Sequence, residues 1–254
     1  MLFLRRFLYL GNRYQCTVCG SKLRKMMPAG LRVQVLQEMD VIGAWHRPND
    51  TCPVCRSSSR TRLVHQYLIR EVLGSPGNEP FRILHFAPEL GITLCLLSSR
   101  PGVEYLTADL NPSAFFYAGN MIRASLTEIP FPENDVDLVI CNHVLEHVPD
   151  DGLAMREILR VLKPGGLAIL QVPISTKREF TDEDPSITSP EERLQRFGQT
   201  DHVRIYGADY TERLASAGFS VQVFDPLASW GAAFVRDHLL NPREKLYAGR
   251  KQAA

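Results

Sequence analysis

Four cysteines stand in two tight pairs, Cys16-Thr17-Val18-Cys19 and Cys52-Pro53-Val54-Cys55, with 32 residues between the pairs. A two-residue gap lets both thiolates of a pair face one ion, and two pairs fill four tetrahedral corners. The expected chemistry is a structural Zn2+ site, since four thiolates leave no open coordination position. Rubredoxin-like iron and disulfides are the alternatives that the same spacing allows. Metal-spaced cysteines suit a reducing compartment, so a cytoplasmic setting is expected. Cys95 and Cys141 lie inside apolar patterns and read as core residues.

A second set of reactive side chains is richer in imidazole. His143 and His147 flank Glu146 in NHVLEHV, and His202 sits beside Asp201 and Arg204 in GQTDHVRIYG, residues 198–207. Imidazole titrates near neutrality and is suited to accept a proton from a nucleophile. His202 is the candidate general base, with Asp201 setting its tautomer and Arg204 holding an anionic substrate group. A loop anchored by its own hydrogen bonds is an equally good reading of that cluster. His143 is the second candidate catalytic residue and is expected to line a ligand pocket, His147 to tie a loop to a helix, and His85 to be a satisfied core residue.

These groups must be positioned by a chain of 254 residues, 44% hydrophobic and 22% charged. That length allows one sizeable core and a small appendage. No apolar run is long enough to span a bilayer, and Arg5 and Arg6 break the apolar start, which lacks the cleavage site of a secretory signal. The net charge of +1 hides an asymmetry. Residues 1–70 hold 12 Lys/Arg against 3 Asp/Glu, and the rest of the chain 17 against 25. A basic module on an acidic body implies either an anionic partner at the N-terminal region or contact between the two parts.

Residues 1–15 have the spacing of a short amphipathic helix, and Arg60–Leu73 that of a longer one. GSPGNEP, residues 74–80, reads as a linker. Short apolar strands and helices then alternate. Strands are predicted at 81–87, 103–110, 135–144, 167–173 and 220–225. Helices are predicted at 92–99, 112–120, 151–166 and 208–219, with the 151–166 helix stopped by Pro164-Gly165-Gly166. This alternation predicts an α/β fold, a Rossmann-like mostly parallel sheet with helices on both faces. Three parts follow: 1–73 with the N-terminal helix, the cysteine module and a connecting helix; 74–240 with the sheet; and 241–254, a polar, frayed tail.

In open parallel sheets ligands bind at the carboxyl ends of the strands. The second strand ends in Asp109, whose carboxylate can accept from both vicinal hydroxyls of a ribose. The first runs into Ala87-Pro88-Glu89-Leu90-Gly91, a tight turn without G-x-G-x-x-G, so a ligand without a pyrophosphate fits better. Cys141-Asn142-His143 brings further polar groups to the same rim.

From residue 81 to 225 the chain resembles the class I S-adenosylmethionine-dependent methyltransferases of the type 11 kind. LTEIPFPENDVDLVICNHVLEHVPDDGLAMREILRVLKPGGLAILQVP, residues 126–173, carries most of the resemblance. It is similar to the family's segment from the adenine-contacting strand end through the fourth strand and a helix to a K-P-G-G turn. The cysteine pairs, the HFAPE turn and GQTDHVRIYG also resemble a subgroup that joins a zinc ribbon to this domain. The resemblance implies S-adenosylmethionine as cofactor, with contacts at Ala87, Pro88, Glu89, Gly91, Asp109, Leu110, Ser125, Leu126, Asn142 and His143. Asp109 aligns with the family's acidic ribose ligand. There are two departures. The first turn is poor in glycine, which leaves the backbone less room to approach the ligand. Ser125 stands where the family often has an aspartate on the adenine amino group, and offers one hydrogen bond without charge assistance.

An enzyme that methylates an unidentified acceptor, with a structural Zn2+ module, is the leading reading. The acceptor classes are a saccharide, a small metabolite or RNA. The competing reading is a zinc-ribbon nucleic-acid-binding protein whose sheet domain has no catalytic role. The acidic body and the scarcity of aromatics among the Lys/Arg of residues 1–70 weigh against nucleic acid.

Overall fold

The computed structural model describes residues 8–74, 80–97, 102–115, 117–119 and 121–253. Its centre is a seven-stranded sheet made of β1 (Phe81–Phe86), β2 (Val103–Asp109), β3 (Met121–Arg123), β4 (Val136–Asn142), β5 (Leu162–Gln171), β6 (Ser220–Phe224) and β7 (Leu246–Arg250). The order across the sheet is β3-β2-β1-β4-β5-β7-β6. All neighbours from β3 to β5 are parallel, and β7 runs antiparallel to both β5 and β6. The expected mostly parallel Rossmann-like sheet is therefore present.

The alternation along each strand explains the layers. Leu84, Phe86, Val139, Cys141, Ala168 and Leu170 face one core, while Ile83, Leu138, Ile140, Leu167 and Ile169 face another. Period-two projection to two buried faces leaves hardly a polar position in the central strands, as in β4, VDLVICN. Helix α4 (Asp151–Val161) and helix α6 (Tyr210–Ser216) cover the first face. Helices α2 (Ser59–Tyr67), α3 (Leu90–Leu97) and α7 (Pro226–Asp237) cover the second. Asp150 caps α4 by accepting from the Leu153 N–H at 2.8 Å, and Ser58 caps α2 by accepting from Thr61.

Four expectations are corrected. The polar tail at 241–254 is not frayed: β7 lies within it, inserted between β5 and β6, with Leu246 and Ala248 fully buried. Helix α4 stops at Val161, ahead of Lys163-Pro164, and Leu162 is already extended. Proline disfavours helical geometry in the residue before it, so the chain enters β5 one turn early. The N-terminal helix is replaced at Leu10–Gln15 by a strand paired with Lys22–Leu23, a hairpin that brackets the first cysteine pair; residues 1–7 lie outside the described ones. The helix at 112–120 is reduced to one 3-10 turn, Pro112–Ala114, and residues 116 and 120 lie outside the described ones. The Arg60–Leu73 helix is present as α2 followed by a π-helical turn at Leu68–Val72. Of the linker, residues 75–79 lie outside the described ones, as do residues 98–101 and the Cys95 side chain. Cys141 is buried in the core as expected.

The cysteine module does not hang free. Val41–Ile42 pairs antiparallel with Ile174–Ser175 beyond β5. Leu36 of α1 (Gln34–Glu38) packs with Phe197 of α5 (Pro190–Phe197) and with Ile205. Arg62, fully buried, donates to the carbonyls of Asp50 and Ser57 in the module and of His238 and Leu239 after α7. One guanidinium thus satisfies four carbonyls from two segments 170 and more residues apart, through a planar fork that lysine lacks.

Candidate functional site

The four cysteines converge. Cys16 Sγ lies 3.6 Å from Cys55 Sγ, and Cys19 Sγ 3.8 Å from Cys52 Sγ. All four sulfurs fall within 4.8 Å of one another, and none of these cysteines is in a disulfide. Zn–S bonds of about 2.3 Å in a tetrahedron put sulfurs about 3.8 Å apart, so the arrangement fits a thiolate-bound ion. Each pair is a turn closed the same way. Gly20 N–H donates to the Cys16 carbonyl at 2.8 Å, and Arg56 N–H to the Cys52 carbonyl at 3.0 Å. Gly20 and Arg56 both take positive φ, 71° and 64°.

The second site lies at the carboxyl edge of the sheet, where β1 and β4 lead off in opposite directions. A cavity of about 540 Å³ opens there, within the size range of small-molecule sites. Ala87 follows β1, Asp109 ends β2 and is followed by Leu110, Ser125 and Leu126 follow β3, and His143 follows β4; all six line the cavity. Phe115, Val144 and Pro149 add apolar surface. On the side away from His143, His147 and Asp201, the Asp109 carboxylate stands beside Leu110, Phe115 and Leu126, an arrangement that suits a nucleoside with its sugar at Asp109 and its base against the leucines. Asp109 accepts from the Asn111 N–H at 2.7 Å, which fixes the carboxylate. The Ser125 hydroxyl is engaged with Thr127 Oγ1 at 2.8 Å.

The remaining cofactor expectations fall elsewhere. Pro88, Glu89, Gly91 and Asn142 are not part of this wall. Glu89 meets His85 Nε2 at 2.9 Å, Asn142 Nδ2 at 3.2 Å and Arg60 Nε at 3.6 Å. Burial pushes the Glu89 carboxyl up, but the His85 hydrogen bond and charge, with Arg60, hold it below the usual carboxylate range. His85 is fully buried and also bonds Tyr105 Oη at 2.8 Å, the satisfied core histidine expected. Pro88 contributes its carbonyl to the Tyr117 hydroxyl. A Cβ on Gly91 would stand 3.3 Å from Thr61 and Val18 methyls, so its smallness serves docking of the cysteine module. Ala87 has φ 45°, a left-handed conformation where the resemblance places glycine.

The histidine wall differs in detail from the expectation. His143 lines the cavity, but its Nε2 is buried without a partner, 3.4 Å from where a Gly43 Cβ would be. Its Nδ1 faces Glu146 Oε1 at 3.3 Å. Burial, then the Arg60 charge, hold His143 well below the ordinary imidazole value. His202 does not line the cavity; it stands behind His147, ring centroids 4.6 Å apart, and is 2% exposed. Burial and the neighbouring His147 lower it to about 4. Asp201 pairs with His147 Nδ1 at 3.2 Å, so the tautomer it sets is that of His147. Arg204 is buried and donates to the Leu145, Val148 and Pro149 carbonyls, with Glu183 on its Nε at 2.8 Å. It clamps two loops together and is not available to a substrate anion.

Sequence reasoning missed His147 and Asp201 as cavity residues, and gave Glu146 no role. Glu146 is 1% exposed, burial pushes its carboxyl up to about 8, and neither oxygen has a hydrogen-bond partner. The available signal was the E-H dipeptide after a strand end. The backbone bond from Val203 N–H to the Glu146 carbonyl at 2.9 Å, which brings His202 alongside, has no mark in the sequence.

Residues 84–170 match the family described as methyltransferase domain. An uncharacterized methyltransferase of Mycobacterium sp. (strain KMS) is 38% identical over 82 residues, 30% of this chain and 32% of that protein. One from Mycobacterium tuberculosis is 32% identical over 108 residues, 35% of this chain and 42% of that protein. The chain thus spans a third to two fifths of the length of these curated relatives. Among solved structures, the carbon methyltransferase CurJ aligns with TM-score 0.52 at 13% identity, over 78% of this chain and 56% of that one. The (4+2) cyclase SpnF aligns with TM-score 0.51 at 18% identity, over 76% and 81%. These two likenesses establish the fold and leave the chemistry to the site.

Proposed function

We propose that this chain, built round a segment of the methyltransferase domain family, is an S-adenosylmethionine-dependent methyltransferase with a structural Zn2+ in its cysteine module. The observation that carries the reading is the cavity at the strand switch, with Asp109 as the one carboxylate at the end of β2. Asp109 would hold the ribose hydroxyls, and Leu110, Phe115 and Leu126 would flank the adenine. Ala87 and the start of the His143 loop would face the methionine part. When bound, the cofactor supplies a methyl group on a sulfonium, already activated for displacement.

The protein's share is to hold the acceptor in line and to exclude water. The wall of His143, His147 and Asp201 is the remaining polar surface of the cavity, and the acceptor belongs there. This wall would hold the acceptor heteroatom in line with the methyl group that the cofactor would supply, and would take up the proton the acceptor gives up. The His143 imidazole, which burial holds neutral, suits proton acceptance at this wall, a role expected of His143 and of His202, although His202 stands behind the wall. A saccharide or small metabolite fits a cavity of this size better than a nucleic acid strand. Binding of a non-methylated nucleic acid by the basic N-terminal region is the competing role.

Calorimetric titration with S-adenosylmethionine and with its demethylated product tests the reading. Both should bind, and Asp109→Ala should weaken both by about 10- to 100-fold, the worth of hydrogen bonds to a charged group. Label transfer from methyl-labelled cofactor into a cell extract then identifies the acceptor class. Absence of binding by the unaltered protein removes the reading. Salt-dependent retention on RNA mapped to residues 1–70 favours the competitor.

A further inference from the structure

The wall behind His147 contains donors that neither the nucleoside site nor the fold requires. Glu146, His147 and His202 each place one ligand atom within 4.8 Å of the other two. Both Glu146 carboxylate oxygens are buried and lack a hydrogen-bond partner. Buried carboxylates in folded chains are paired or bound to a cation, because an unpartnered one is costly. The nearest basic nitrogen, His143 Nδ1 at 3.3 Å, makes no hydrogen bond with them.

We propose that Glu146, His147 and His202 bind a divalent first-row transition ion at the acceptor end of the cavity. Two imidazoles and one carboxylate are the donor set of open Zn2+ sites and of Fe2+ sites. Three protein ligands leave a position for water or for an oxygen of the acceptor, so the acceptor class this site selects is a hydroxyl or carboxylate compound. The outer shell is also in place. Asp201 on His147 Nδ1 at 3.2 Å fixes that ring and leaves Nε2 to the ion. The Gln199 side chain, 2.8 Å from His202 Nε2, fixes the second ring. Arg204 holds the two loops in register by donating from one to the carbonyls of the other, and the Val203–Glu146 backbone bond does the same. The ion also accounts for the geometry of the two candidate bases. His143 turns a buried Nε2 towards Gly43, and His202 stands behind the wall. A hydroxyl bound to the ion would be acidified enough to pass its proton to solvent water, without either imidazole as base.

The role of the open position rests on the methyltransferase reading; metal uptake does not. The test is therefore made without cofactor. The untagged protein, loaded with one equivalent of Zn2+ for its four thiolates and freed of excess metal, is titrated with Co2+ while visible absorbance and heat are recorded. The expected result is one equivalent of Co2+ with the weak bands of nitrogen and oxygen ligation, and no release of zinc. Glu146→Gln and His202→Ala should abolish that equivalent. Asp201→Asn should weaken it by about 10- to 100-fold, the usual effect of an outer-shell partner. Retained zinc in each variant reports an intact module. No uptake by the unaltered protein overturns the proposal, as does strong thiolate absorption with loss of zinc, or uptake unchanged in both Glu146→Gln and His202→Ala. Cofactor binding is measured in a separate cell, so either result leaves the other standing.

Discussion

The cysteine cluster and the cavity rim both hold polar atoms in fixed geometry, and they do so by opposite routes. In the cluster, four sulfurs arrive in two sequence pairs, each shaped by a turn closed by two local backbone bonds. At the rim, each group comes from the end of a different strand, and its place depends on the register of the whole sheet. A local turn carries its geometry with it, whereas a strand end inherits geometry from its neighbours. The cluster should therefore fail all at once when one part is removed, and the rim should fail by degrees.

The largest expected effect follows from removing a cluster ligand. The core around it is small, Cys16, Leu23, Met26 and Cys52 with partly buried neighbours, and a module of that size would depend on the proposed ion. Cys52→Ser should lower the melting temperature of the full chain by about 10 °C or more, at about 2–4 °C per kcal/mol for a domain of this size. Because the module is strapped to the sheet domain, the loss should appear in one transition. A separate early transition confined to residues 1–73, seen by limited proteolysis, would break the comparison.

Arg62 is the strap, and its removal comes next. Arg62→Met keeps the apolar stem and takes the guanidinium donor from the carbonyls of Asp50, His238 and Leu239, while Ser57 keeps the Cys52 N–H. The expected loss is about 3 kcal/mol or more, since each unsatisfied buried group costs about 1–3 kcal/mol. Denaturant unfolding measures it, and a loss under about 1 kcal/mol would show that water replaces the guanidinium.

How much was legible follows the same division. The cysteine spacing announced the cluster, and the alternation of apolar runs announced strands β1, β2, β4 and β5. Asp109 was legible because a polar residue closing an apolar strand marks the sheet edge. Strand β7 was not, since LYAGR is short, carries Gly249 and Arg250, and earns its place only between two strands formed earlier in the chain. Arg62 read as one more basic residue on a helix; two of its four carbonyl partners lie 176 and 177 residues away. The Glu146–His202 neighbourhood was hidden for the same reason, as it depends on a loop returning over the strand edge.

Between module and sheet, Glu244 supplies a smaller effect with a definite pH signature. Burial raises its carboxyl to about 6, with Asp50 acting in the same direction and Arg60, Arg47 and Arg62 against it. The unfolded chain releases that proton near the ordinary glutamate value, about 4.3, while the folded chain keeps it until about 6. Between those values the native state binds more proton, so stability falls as pH rises and the full cost is present above 6. At about 1.36 kcal/mol per unit the cost is about 2 kcal/mol. Glu244→Gln should remove this slope, gaining on the unaltered protein at pH 7.5 relative to pH 4.5. Parallel stability–pH curves for the two proteins would show that Glu244 ionises alike in both states.

The smallest effect sets the two turns directly against each other. Gly20 in the first cysteine turn and Ala87 in the turn after β1 both hold positive φ, 71° and 45°. A Cβ in that region costs about 1–2 kcal/mol, and glycine returns about 0.5–1 kcal/mol through the entropy of the unfolded chain. Ala87→Gly should therefore stabilise the fold by no more than about 1 kcal/mol, a rise of about 2–4 °C in melting temperature. Gly20→Ala should cost a similar amount, since no atom lies within 4 Å of the added Cβ and only the backbone strain acts. Cofactor titration separates the turns further. Ala87 lines the cavity and Gly20 does not, so Ala87→Gly should tighten S-adenosylmethionine binding while Gly20→Ala leaves it unchanged. A melting temperature that falls in Ala87→Gly would mean that the alanine methyl packs usefully in the cavity wall, and that the glycine-poor turn is an adaptation of this site and not a strained remnant.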